Sequence, residues 1–328
     1  MNPNSKRSLN LFSVTIMGKH ISVLLDEAIE NLSIRPDGIY VDLTLGRAGH
    51  SSEILKRLTT GKLIAFDKDE QAIIESKARL EAISDNFEIV REDFRHFKSV
   101  LLKKNITHVD GILVDLGVSS PQFDEDARGF SYKGSARLDM RMDTRQSLSA
   151  YDVVNTYSLK DLTDVFRNYG EDKYSYQIAK RIVEIRSTKP IETTDQLVDI
   201  IKAVKPQKEL LKKGHPAKQI FQALRIEVND ELGALKEMLS DALDTLNVSG
   251  RMVVITFHSL EDRMVKNAFA SVSKVEGSRH NVFALPSEED EPKYRLVNNK
   301  VIVPSEQEMN DNPRSKSAKM RVIERTRL

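Results

Sequence analysis

Five short stretches of the chain carry residue types that could handle a nucleoside. Gly46 and Gly49 bracket a turn between an apolar, β-branched run at 39–45 and the helical spacing of Ile54, Leu55 and Leu58. A strand, a glycine turn and a helix start leave backbone N–H groups and a positive helix end facing an anionic ligand group. Glycine suits such a turn because it tolerates positive φ and lets a ligand approach the backbone. The turn reads G-R-A-G-H, without the G-x-G-x-x-G spacing of a dinucleotide site, so taken alone it also fits a connection that binds nothing. Asp67 ends the second apolar run, KLIAF, about 20 residues further on, where nucleoside-binding α/β folds hold a ribose by its hydroxyls. Asp69 opens the next helical pattern, so one of the two carboxylates is expected to cap that helix and leave the other for a ligand. Asp115 closes the run VDGILVDL, and Ser119 and Gln122 follow in the loop G-V-S-S-P-Q. His258 comes directly after RMVVITF, with Glu261 and Asp262 behind it; it is either a proton acceptor or a helix cap. Phe94, just past FEIV, is either a core residue or an aromatic neighbour for a purine.

The elements that must position these groups alternate. Apolar runs at 39–45, 62–66, 87–90 and 109–116 read as strands, with helical spacings between them, and an amphipathic helix precedes the first (Val23, Leu24, Ala28, Ile29, Leu32). This β-α-β-α-β-α-β order predicts a doubly wound, mostly parallel sheet with ligands at the carboxyl ends of its strands. The pattern then changes. Residues 124–147 are rich in Asp and Arg, and segments 159–169, 174–185 and 193–204 carry only helical periodicity, with Thr193 and Thr194 as cap candidates and Pro190 as a breaker. Such a block reads as an inserted all-helical subdomain, giving parts at 1–130, 131–215 and 216–328. Six lysines against Glu209 crowd residues 202–218. One long helical region, 217–246, leads to a fifth strand at 251–257. An acidic loop at 287–292, a hairpin at 294–303 centred on Asn298-Asn299, and a last strand at 319–325 within a basic tail complete the chain.

With 328 residues, 40% of them hydrophobic and 30% charged, the chain can bury a substantial core. The net charge is +1, so nucleic-acid binding would depend on local patches rather than a global field. The absence of cysteine excludes disulfides, thiolate metal sites and a cysteine nucleophile. No metal site is expected. No stretch has the length of a membrane span and the N-terminus lacks a signal-peptide core, so no membrane partner and a cytoplasmic location are expected.

Taken together, the motifs resemble one family, the bacterial ribosomal RNA small subunit methyltransferase H enzymes. The resemblance runs from HISVLLDE at His20 to the basic tail. It is carried by DLTLGRAGHS, AFDKD, DGILVDLGVSSPQF, ARGFSY with RLDMRMD, HPAKQIFQALRIEVNDEL and ITFHSLEDR. It implies a Rossmann-like class I methyltransferase using S-adenosyl-L-methionine to methylate the exocyclic N4 of a cytosine in the decoding region of 16S rRNA, within the small ribosomal subunit. Carried over by position, the cofactor contacts are Ala48, Gly49, His50, Asp67, Phe94, Asp115 and Gln122. Two positions depart from the family pattern: Ala48 stands where glycine is usual, and Ser22 where proline is usual.

The amino nitrogen of cytosine is a poor nucleophile, because its lone pair is delocalised into the ring. It must be aimed and must donate its hydrogen bonds to acceptors in a site that keeps water out. Asp115, Ser119 and His258 are the candidates for that work. Two other classes compete. A nicotinamide-dependent oxidoreductase would fit the glycine turn and Asp67 but lacks the glycine spacing. A non-catalytic RNA-binding or assembly protein would need only the basic segments, among them Arg137, Arg141, Arg145 and the lysines at 202–218, which are phosphate contacts or simply solvated faces.

Overall fold

The computed structural model describes residues 22–117, 128–274 and 292–327. Strands β1 (Ile39–Asp42), β2 (Lys62–Asp67), β3 (Phe87–Arg91), β4 (Val109–Asp115) and β5 (Leu246–Thr256) pair in parallel in the order 3-2-1-4-5. Two more, β6 (Tyr294–Leu296) and β7 (Lys319–Arg325), extend the sheet antiparallel beyond β5, with β7 inside and β6 at the edge. Successive side chains point to opposite faces, so each strand feeds two cores. Leu63, Ala65, Leu113, Val253 and Ile255 go to one cluster; Ile64, Phe66, Ile112, Val114, Met252 and Val254 go to the other. A sheet apolar on both sides needs helices on both.

Helices α1 (Leu25–Leu32), α2 (Gly49–Leu55) and α3 (Glu70–Glu81) cover the first face through residues such as Ala28, Ile54 and Leu80. The second face starts with α4 (Phe97–Lys103), which buries Phe97 and Leu101. After β4 come α5 (Ala150–Thr156), α6 (Leu159–Asn168), α7 (Ser175–Arg186), α8 (Thr194–Val204), the single turn α9 (Gln207–Leu210) and α10 (Lys218–Asn229). Three of them start at side-chain caps: Ser149 and Asp152 form a capping box on α5, Ser158 caps α6, and Thr193 with Gln196 boxes α8. These helices share a third cluster, built from Val153, Phe166, Ile182, Leu197 and Ile201 together with Ile220, Phe221 and Leu224 of α10. Asn229, at the end of α10, holds the 140–142 backbone by accepting from Met142 N–H and donating to Met140 O, both at 2.8 Å.

Two expectations are corrected. Residues 217–246 are not one helix: Asp230 takes φ 45°, ending α10 and starting α11 (Glu231–Thr245) in a new direction. Left-handed backbone cannot continue an α-helix. Helix α11 and then α12 (Ser259–Val272) complete the second face of the sheet. Residues 294–303 are not a self-paired hairpin either. Leu296 pairs with Ile323 and Ile302 bridges to Met320, so both halves lie along β7 and the intervening residues bulge away. The last helix, α13 (Glu306–Asp311), then crosses to α1, where Glu308 accepts from Leu24 N–H at 2.8 Å.

Candidate active site

The carboxyl ends of β1, β2, β4 and β5 open into one cavity of about 1000 Å³. The glycine turn forms one wall. Gly46 (φ 49°) and Ala48 (φ 56°) are both left-handed, so alanine at 48 sits in a conformation that glycine adopts without steric cost. Gly49 allows no side chain, since a Cβ there would lie 1.7 Å from Ser22 Oγ. The two departures from the family pattern therefore meet at one turn. It is clasped from outside, because Ser76 Oγ donates to Gly46 O at 2.7 Å and Arg79 to Arg47 O at 3.1 Å.

Asp67 ends β2 against this turn. It accepts from Gly46 N–H and Asp69 N–H, each at 2.9 Å. Burial pushes its carboxyl up to about 6, against the pull of those two N–H groups. Asp69 caps α3 through Gln71 N–H, the capping role that the sequence offers to one of the two carboxylates. Phe94 begins a short 3₁₀ turn and lines the cavity while packing on the second core. His50 is buried in α2; its Nε2 is 3.1 Å from Val23 O and its Nδ1 is 3.7 Å from Asp115 Oδ2. Beneath them Asp42 is fully buried, accepting from Ser51 Oγ (2.6 Å) and Thr44 N–H (3.0 Å), and burial pushes it up to about 6 as well.

Asp115 ends β4, its N–H donating to Thr44 Oγ1 at 2.6 Å. Its Oδ1 is buried without a hydrogen-bond partner among the described residues. Burial, reinforced by the charges of Asp42 and Glu261, pushes this carboxyl well above the usual range. An orphaned acceptor in a cavity is a place for a ligand's N–H or O–H.

The facing wall comes from the starts of α11 and α12 and from α10. His258 caps α12: its Nδ1 accepts from Glu261 N–H at 3.4 Å, and its Nε2 lies 3.0 Å from Glu261 Oε1. Glu261 accepts in return from Phe257 N–H at 2.8 Å. Burial opposes its charge, but His258 and Arg225 hold it below the usual carboxylate range. Arg225 forks onto Glu231, Nε to Oε1 at 2.8 Å and Nη2 to Oε2 at 2.9 Å. Glu231, His258 and Glu261 bring one ligand atom each within 4.8 Å of one another, a spacing that a cation could use. Arg225 already engages both Glu231 oxygens, however, so this charge is matched within the chain.

The chain matches the MraW methylase family over residues 17–326. It belongs to that family. It is therefore a methyltransferase with S-adenosyl-L-methionine as methyl donor, and its sheet is the Rossmann-like sheet of class I methyltransferases. Its fold also has distant likenesses among solved structures. One is an rRNA methylase from Streptococcus thermophilus (13% identity, 92% of each chain covered, TM-score 0.41). Another is TrmN from Thermus thermophilus (14%, 92% of this chain and 48% of that one, TM-score 0.40). A third is NSun6 from Pyrococcus horikoshii (12%, 94% and 53%, TM-score 0.41).

The residues present fit the cofactor. The structure gathers Gly49, His50, Asp67, Phe94 and Asp115 at the cavity, with Ala48 buried in the turn behind them. Ser119 and Gln122 lie outside the described residues. Several site residues escape sequence reasoning. Asp42, Ser51 and Thr44 support the turn from below, while Arg225 and Glu231 form the far wall. A fifth-strand motif pointed to His258 and Glu261. Arg314 and Lys316, which the sequence marks only as part of the basic tail, reach the cavity from the short 3₁₀ turn Pro313–Ser317 after the last α-helix.

Proposed function

We propose that this methylase transfers its methyl group to the exocyclic N4 of a cytosine in the decoding region of 16S rRNA, with Asp115 receiving the amino group. The buried, unpartnered Oδ1 of Asp115 carries this reading. S-adenosylmethionine supplies an electrophilic methyl group when bound. Asp67 would hold its ribose hydroxyls, Phe94 would pack by its adenine, and the 46–50 turn would face its amino-acid end. Asp115 accepts a hydrogen bond from the cytosine N4, which returns electron density to that nitrogen, and then takes the proton released when nitrogen is alkylated. A carboxyl shifted upward by burial suits that second task better than an ordinary one. His258 caps its helix through Nδ1, while its buried Nε2, 3.0 Å from Glu261 Oε1, lacks hydrogen-bond geometry, so His258 serves chiefly by fixing Glu261 on this wall. Ser119 remains a second acceptor on the loop after β4.

RNA as substrate is supported by cations at the cavity, among them Lys133 and Lys316, that form no ion pair among the described residues, and by the Tyr132 ring stacked on His215 at 4.3 Å. We assign residues 131–215 to substrate recognition and residues 1–130 and 216–328 to the methyltransferase, with α10 packed into the helical core between them. Arg141 and Arg145 do not support the phosphate role expected of them, since each forks onto a local carboxylate, Asp139 and Asp143.

The test is tritium-methyl transfer from S-adenosylmethionine to small subunits lacking the modification, followed by mapping of the labelled base. Asp115→Asn is expected to lower single-turnover methylation by at least about a hundred-fold. His258→Ala should lower it less and leave cofactor affinity unchanged. Label on a carbon atom or on protein would overturn the N4-cytosine reading.

A further inference from the structure

The motif HPAKQIFQALRIEVNDEL is long, and the chemistry above uses none of its polar residues. Lys218, Gln222 and Arg225 stand at i, i+4 and i+7 on α10, so they share one face, and all three line the cavity opposite the cofactor turn. The opposite face of α10 is apolar and buried, with Ile220, Phe221 and Leu224 in the helical core. The polar face is graded. Lys218, at the start of the helix, is exposed and has no carboxylate partner. Gln222 is half-buried and spends its Nε2 on Tyr169 O at 3.0 Å. Arg225, at the inner end, is 13% exposed.

Arg225 is half committed. Its Nε and Nη2 are taken by Glu231, while Nη1 makes no hydrogen bond among the described residues. A partly buried guanidinium presents donors only, and the Glu231 fork, set just past the left-handed Asp230, fixes its plane. We infer that Arg225, held by Glu231, is the specificity-determining contact for the target base, and that Lys218 on the same face takes the phosphate beside it. This rests on the N4-cytosine reading. Cytosine offers two adjacent acceptors next to its amino group, N3 and O2. Adenine offers N1 and then a C–H, and uracil puts an N–H donor at N3. The remaining Nη1 group, a donor only, facing that edge can bond the acceptors of the first, loses a bond with the second and meets donor with donor in the third. Gln222 turns its Oε1 away from Tyr169 and completes the wall between base and phosphate.

Three variants test this on small subunits lacking the modification, with S-adenosylmethionine affinity and thermal midpoint measured for each. Arg225→Lys keeps the charge on Glu231 but loses the fork. It should lower kcat/KM for the subunit about ten- to a hundred-fold while cofactor affinity stays within two-fold. The exchange Arg225→Glu with Glu231→Arg restores the ion pair in reverse. It should recover the thermal midpoint lost in Arg225→Glu alone, without recovering methylation. Lys218→Gln lies on the exposed end and leaves the fold intact; it should raise KM and reduce the salt slope of binding by about one unit. Wild-type kcat/KM in Arg225→Lys, or methylation recovered by the exchange, would reduce the pair to a brace between α10 and α11. Were the exchanged protein not to fold, Arg225→Lys and Lys218→Gln decide alone. Failure of the wild-type protein to methylate subunits would sink the substrate reading itself, a result distinct from wild-type behaviour in the variants.

Discussion

Asp67 and Asp42 are both pushed up to about 6 by burial, yet their consequences differ. Asp67 faces the cavity, and the ribose hydroxyls proposed to bind there would donate to its ionised form. Cofactor affinity should therefore rise with pH through about 6 and level off above it. Asp67→Ala should weaken S-adenosylmethionine binding about ten- to a hundred-fold, the loss of charge-assisted hydrogen bonds of about 1.5–3 kcal/mol, and Asp67→Asn should flatten the pH profile. Titration calorimetry at several pH values measures both, and unchanged affinity in Asp67→Ala would remove that residue from the site. Asp42 is fully buried and is not among the residues lining the cavity, so its raised value bears on stability. Between about pH 4 and 6 the folded chain keeps a proton on Asp42 that the unfolded chain has lost, so this contribution to stability falls as pH rises through that window. Asp42→Asn mimics the protonated form. It should exceed the wild type in stability at pH 7, by up to about 3 kcal/mol, with the gain gone by about pH 4. Comparing the two proteins at each pH isolates this group from carboxylates such as Asp93 and Asp262, whose lowered values act in the opposite direction.

At the scale of elements, α8 and α10 are tied by a buried charge. Lys205, just past α8, donates to the buried Asp172 and, at 2.7 Å, to Pro216 O ahead of α10. The ion pair lies wholly within the helical part. Replacing the lysine leaves Asp172 buried without a counter-charge, which costs about 3–5 kcal/mol. Lys205→Met should lower the denaturant midpoint accordingly, and pairing it with Asp172→Leu should recover much of the loss. If the single variant is as stable as the wild type, Asp172 has found water or another donor.

For the whole molecule, the question is which cations the long-range field of the substrate engages. Lys208 and Lys213 are exposed and form no ion pair among the described residues, while Lys212 is paired with Glu209 at 2.7 Å. Neutralising Lys208 and Lys213 together should weaken binding to small subunits and reduce its salt slope by up to about two units; neutralising Lys212 adds less. A slope equal to that of the wild type would mark the 202–218 segment as a solvated face. The helical part cannot simply be removed to ask this, because Phe221 and Leu224 of α10 would lose their cover and expose apolar surface.

The sequence by itself determined the parallel strands, the glycine turn, Asp67 at the end of β2 and Asp115 at the end of β4. Those signals are local: an apolar run reports a strand buried on both faces, and the residue after it lies at the strand's end whatever else the chain does. The division of labour between Asp67 and Asp69 was also posed locally, as a choice between a cap and a ligand group. Tertiary structure decided the rest. His258 capping its own helix depends on where Glu261 turns. The break at Asp230 shows no proline and no glycine at the bend, and it brings Arg225 back onto Glu231. The pairing of 294–303 with β7 rather than with itself was set by an open sheet edge that outbid an Asn-Asn turn. The far wall of the cavity joins residues from α10, α11, α12 and the segment after α13. No spacing along a chain reports such a meeting, because it is the packing of helices on the two faces of the sheet that creates it.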